Sequence, residues 1–146
     1  MQEQTHVGLV REGNEMPKYV LTLTSEQARE INKCLELLMR WKLKQPDIMA
    51  QMLLDISDDV DVYCQKRDTM VPKLKEAMDI CTPEDPANCG KLKDREWHIA
   101  YNILQAIRYQ IHLAEYPEST GVSSYPPLDT GGVGIPECSF LEEKKR

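Results

Sequence analysis

The sequence predicts a mainly α protein: a small helical bundle with one short N-terminal strand and an extended Pro/Gly-rich C-terminal tail. Three observations carry this. Apolar residues recur at helical spacing in two long segments. Each of those segments has its own start and stop signals. Beyond residue 116 the composition changes: Pro117 to Phe140 holds four of the nine prolines and four of the seven glycines, which excludes a helix. A chain of 146 residues suits one domain. The expected divisions are a flexible arm over 1–17, a single helical domain over 18–116 and a tail over 117–146 packed on that domain.

The strand is expected at 18–24. Tyr19, Leu21 and Leu23 alternate with Lys18, Val20 and Thr22. One strand cannot satisfy its own backbone, so it calls for a partner in the tail or in a second subunit. Thr24-Ser25-Glu26-Gln27 is a helix start with the reciprocal Thr/Gln capping arrangement. Ala28, Ile31, Leu35, Leu38 and Met39 then form one apolar stripe of a helix over about 25–43. Cys34 is expected as a small core residue. Ile48, Met49, Met52, Leu53 and Ile56 mark a second helix after Pro46. Val60 and Tyr63 open a third, ending near Thr69, and Pro72 is placed in the first turn of a further helix, where its missing N–H costs nothing. The segment 82–90 is a loop by composition.

The last helix is the clearest. Asp94 is a good cap, residues 95–116 contain no Pro or Gly, and Pro117 ends it. Ile99, Ile103, Ile107, Ile111 and Ala114 lie along its expected inner face, widened by Ala100 and Leu104. Tyr125, Leu128, Val133, Ile135 and Phe140 are apolar enough to anchor the tail.

Charge narrows the function. Lys plus Arg number 18 against 24 for Asp plus Glu, a formal net charge of −6. An acidic chain gains little from a nucleic-acid backbone, so DNA and RNA are not expected partners. No apolar run approaches the ~20 residues needed to span a bilayer, and no signal-peptide core precedes residue 16, so a membrane is not expected and a cytoplasmic location is. The five cysteines make no C-x-x-C pair. They read as reduced thiols, with a Cys81–Cys89 bridge a minor alternative.

One surface stands out. His98, Tyr101, Gln105, Arg108 and His112 follow one another at steps of 3, 4, 3 and 4 on the last helix, with Trp97 and Tyr109 flanking them. An Arg can grip a phosphate or carboxylate with two parallel hydrogen bonds, and Trp and Tyr can stack on a base. These seven residues are the parts of a small anionic ligand site, and a nucleotide suits them. A solvent-exposed face or a subunit interface has the same appearance. No metal or other cofactor is expected. His98 and His112 stand about 21 Å apart along the axis and cannot share an ion. The acidic group Asp55, Asp58, Asp59 and Asp61 could hold Mg²⁺ for nucleotide hydrolysis, but Glu26, Glu30 and Glu36 are not spaced as an E-x-x-E partner; a capping cluster is the simpler reading. Neither a G-x-S-x-G elbow nor a phosphate loop is present, so catalysis is not expected.

Leu21-Thr-Leu-Thr-Ser-Glu-Gln-Ala28 with Leu35-Glu36-Leu37, and Ala100 to Tyr109 followed by Tyr125-Pro-Pro-Leu128, resemble the two halves of a family of small uncharacterised phage and prophage proteins. The resemblance implies an accessory protein made in an infected cell, and by analogy of setting one that sequesters a nucleotide-derived immune signal of the host. The leading expectation is therefore a helical homo-oligomer, a homodimer or higher, that captures such a ligand without catalysis. A protein–protein inhibitor or structural accessory factor using the last helix as its interface is the alternative. A metal-dependent nucleotide hydrolase comes third.

Overall fold

Thr24 and Gln27 open the first helix as the sequence predicts. The Gln27 backbone N–H donates to Thr24 Oγ1 at 3.1 Å, and Gln27 Oε1 accepts from the Thr24 backbone N–H at 2.9 Å. The computed structural model describes residues 7–10 (backbone), 16–54, 59–78 and 92–142. Within these the chain is mainly helical: strands β1 (Val7–Val10) and β2 (Lys18–Leu21), then helices α1 (Ser25–Lys42), α2 (Pro46–Leu53), α3 (Val60–Ala77) and α4 (Arg95–Glu115). A 3₁₀ turn, Val122–Ser124, lies in the tail.

The first correction concerns the strand. Its partner within the chain is the N-terminal arm and not the tail. Val7–Val10 pair with it antiparallel, Val7 opposite Leu21 and Val10 opposite Lys18. Part of the expected flexible arm is thus ordered by the ladder hydrogen bonds that β2 needs. Residues 18–21 are all exposed.

α1 and α4 run antiparallel and form the centre of the protein. Met39 meets Trp97, Ala100 and Leu104 in the core, with Leu35, Leu38, Leu43 and Tyr101 packed around them. Ion pairs mark both ends of the seam. Arg29 and Ser25 reach Glu115 at one end, and Lys42 reaches Asp94 at 2.8 Å and Glu96 at 3.1 Å at the other. Asp94 also caps α4 by accepting from the Trp97 N–H at 2.8 Å. α2 packs on α1 and α3 on α2. Pro46 occupies the first turn of α2, where the lost N–H is harmless.

Three further expectations are corrected. α3 runs unbroken through Pro72 instead of restarting there. The ring sacrifices one backbone bond, while Val71 and Met78 on either side are buried and hold the helix on its course. Cys34 is exposed, not a core residue: two positions on from the buried Asn32, it points to the opposite side of α1. The isoleucine line of α4 is not its innermost face. Steps of four drift by about 40° each around a helix. The line therefore begins exposed at Ile99 and ends at the cleft described below with Ile111, while Ala100 and Leu104 are the buried residues.

The tail is held differently from the expectation. Tyr125 and Leu128 are 73% and 74% exposed, so neither anchors it. The anchor is polar. Asn102, 0% exposed, donates from Nδ2 to Asp129 Oδ1 at 3.0 Å, to the Gly134 carbonyl at 2.8 Å and to the Thr130 carbonyl at 3.3 Å. Its Oδ1 accepts from the Thr130 N–H and hydroxyl at 3.2 and 2.8 Å. The Asp129 carboxylate accepts the Gly134 N–H, and His98 Nδ1 lies 3.0 Å from Thr130 Oγ1. Gly131 presses so close to His98 that a Cβ there would lie 2.5 Å from the ring, and its φ of +69° favours glycine as well. Cys81, Cys89, Asp55 and Asp58 lie outside the described residues. Asp59 is the N-cap of α3, accepting from the Asp61 N–H at 2.9 Å.

Candidate functional site

Arg29, Asn32, Lys33 and Glu36 stand on one face of α1, separated by three, one and three residues. Because α4 runs antiparallel beside it, its last turns bring Arg108, Ile111 and His112 to the same place. Tyr116 and the start of the tail, Ser119 and Ser123, add a wall, and Met52 of α2 completes a cleft of about 460 Å³.

The electrostatics of this cleft favour an anion. Glu36 is gripped by two arginines: Oε2 accepts from Arg108 at 2.8 Å and Oε1 from Arg40 at 3.2 Å. Arg29 pairs with Glu115, donates to the Tyr116 hydroxyl at 3.3 Å and lies 5.9 Å from the centre of that ring. The Ser25 hydroxyl, with Arg29 beside it, holds the Glu115 carboxyl below its ordinary range. Lys33 has no ion pair among the described residues. Of the residues that line the cleft, Arg29, Lys33 and Arg108 are cationic against the single carboxylate of Glu36, a local positive surplus on a chain of net charge −6. Between the charged groups sits Asn32, 8% exposed, whose Oδ1 is buried without a hydrogen-bond partner.

The seven residues expected to form a site are not brought together. Arg108 and His112 line the cleft. Trp97 is buried in the α1–α4 core, stacked on Tyr101 with centroids 4.8 Å apart and capped by Lys93 at 4.9 Å. His98 belongs to the tail clasp through Thr130. Gln105 and Tyr109 are half-buried and do not line the cleft. The cause is that α4 is covered on two flanks, by α1 and by the tail, so a line of residues along it is shared among three environments. The α1 contribution escaped the sequence reading, although Arg29, Asn32, Lys33 and Glu36 repeat the spacing that drew attention to the last helix. Asn102 had a signal too, as a single amide in the run Ile99 to Leu104.

His112 Nδ1 and Ser119 Oγ are 3.2 Å apart, but this is not an activated nucleophile. The Ser119 hydroxyl donates to the Tyr116 carbonyl at 2.9 Å, so its single proton is already used, and His112 serves as donor to it. The pair fastens the tail to the end of α4. Among the described residues no group of three His, Cys, Asp or Glu side chains is placed to hold a metal ion, and no helix is long and apolar enough to cross a membrane.

Fold and cleft together define a small helical protein with a cationic recess between two antiparallel helices and a tail clasped to the second. No family model, curated protein or solved structure matches the chain.

Proposed function

We propose that the protein is a binding module that captures a small anionic ligand in the α1–α4 cleft and releases it unchanged. The observation that carries this reading is the gathering of Arg29, Lys33 and Arg108 around one recess of an otherwise acidic chain, with Lys33 free of any ion pair among the described residues. A phosphate or carboxylate there gains charge-assisted hydrogen bonds from up to three cations. The ligand fitting both this chemistry and the phage resemblance is a nucleotide-derived immune signal, sequestered in the host cytoplasm by a phage accessory protein. The test is to purify the protein from phage-infected, defence-active cells, denature it and identify what is released by mass spectrometry. An intact nucleotide-like molecule supports capture. A processed product points to an enzyme, the metal-dependent hydrolase included, and an empty protein removes the reading.

A second reading has its own observation. Tyr19 is 71% exposed, and Val20 and Leu21 beside it are exposed as well, on a two-stranded hairpin of a kind marginal by itself in water. This hairpin, more than the covered last helix, is the surface for a protein partner or a second copy of the chain. Light scattering at micromolar concentration showing only a 16.8 kDa monomer removes the homo-oligomer.

A further inference from the structure

Resting on the anion-binding reading above, we infer that the ligand also presents a planar edge with a hydrogen-bond donor beside an acceptor, as a nucleobase does, and that Asn32 reads it. The protein supplies its own comparison. It buries two asparagines on the central helix pair. Asn102 uses both amide atoms, in five hydrogen bonds to the tail. Asn32 uses neither: its Oδ1 is buried and unpartnered, and its amide makes no hydrogen bond among the described residues. An orphaned buried acceptor is costly, and Asn is a weaker helix former than Leu. Folding therefore gives no reason for an amide at this position of α1, whereas a ligand in the cleft does.

The dimensions agree. Arg29 to Glu36 spans about 10 Å along the helix axis, longer than a phosphate group alone. A cleft of about 460 Å³ falls within the usual range for small-molecule sites. Lys33, next to Asn32 in sequence and without an ion pair among the described residues, is the cation for the phosphate. Once its buried Oδ1 turns into the cleft, the Asn32 amide offers a donor and an acceptor side by side, the arrangement with which Asn reads base edges elsewhere. A site built around a buried polar group rejects ligands that leave it unpaired.

The experiment is calorimetry with AMP, CMP, GMP, UMP, ribose 5-phosphate and pyrophosphate on the full chain and on Asn32→Leu. At least one nucleotide should bind about tenfold or more tighter than ribose 5-phosphate. Asn32→Leu should erase that preference, leave ribose 5-phosphate affinity within about twofold, and raise the thermal midpoint of the free protein. Asn32→Ala serves the same comparison of affinities if the leucine does not fit. Ribose 5-phosphate or pyrophosphate binding as tightly as every nucleotide overturns the base-edge inference and leaves the anion site standing. So does a nucleotide preference that survives in the variant. A variant that melts earlier and weakens all ligands alike shows a structural Asn32. If none of the six compounds binds, the anion reading itself has failed.

Discussion

Asn102 donates to the carbonyl of Gly134 at 2.8 Å, tying α4 to a point 32 residues further along the chain. Around that bond the Asp129–Gly134 loop folds back on the helix through backbone groups, the Thr130 hydroxyl and the Asp129 carboxylate. The first residues of the tail, fixed by Ser119 to His112, wall the cleft. Two separate polar contacts thus hold the tail to α4, one at its start and one at the Asp129–Gly134 loop.

Asn102→Ala should show how much depends on it. The substitution removes five hydrogen bonds, leaving Asp129 only the Gly134 N–H and the Thr130 hydroxyl only His98. A loss of roughly 2–4 kcal/mol in urea denaturation is expected. Limited proteolysis should reach the tail between residues 125 and 142 in the variant before the wild type. Equal denaturation midpoints with equal protection of the tail contradict the clasp.

Gly131 and Gly132 form a matched pair. Both have positive φ, +69° and +63°, but only Gly131 faces an obstacle, the His98 ring 2.5 Å from the position a Cβ would take. Gly132→Ala should cost about 1–2 kcal/mol from backbone strain alone. Gly131→Ala should cost more, and His98→Ala should recover part of the difference in a double-mutant cycle. Equal losses at the two glycines count against a close approach of loop and helix.

Acid should loosen both ends of the α1–α4 seam. The hydrogen bond from Lys42, and then the capping N–H of Trp97, hold the Asp94 carboxyl below its ordinary range, as the Ser25 hydroxyl does for Glu115. Depressed carboxyl values mean a contribution that is full above the unfolded value near 4 and lost as pH falls through the folded one. The same hydrogen bonds to Asp94 and Glu96 raise Lys42, whose contribution is lost only as pH rises beyond about 10.4. The thermal midpoint should therefore fall below about pH 4, and Lys42→Met should make that fall shallower. An acid limb with the same slope in the variant shows that Asp94 gains nothing from Lys42.

Much of this fold is legible in the chain. The Thr24/Gln27 capping pair, the Asp94 cap and the Pro-free stretch before Pro117 locate α1 and α4 to within a residue or two, because these are local signals. The antiparallel seam is not local. Nothing near Arg108 in sequence announces Glu36, and the recess exists only because two helices juxtapose them. β1 was missed for a related reason: Val7–Val10 is short, and its pairing with β2 is a contact between segments. The tail was read by its apolar residues, yet an Asn, an Asp and glycines hold it, since a loop lacking regular structure must pair its backbone with something.

The central claim is that the α1–α4 cleft binds a small anion, and calorimetry on Arg108 variants tests it most directly. The panel is pyrophosphate, nucleoside monophosphates, and cyclic and ADP-ribose-type nucleotides. Wild type should give saturable one-site heat with at least one of them. Arg108→Ala should weaken that binding by about tenfold to a hundredfold, and Arg108→Lys should recover only part, because an ammonium cannot make the two-pronged contact. Stability should change by less than about 1 kcal/mol, since the Arg108–Glu36 pair is partly exposed and Glu36 keeps Arg40. No heat with any member of the panel, or an affinity untouched in both Arg108→Ala and Lys33→Ala, contradicts the claim.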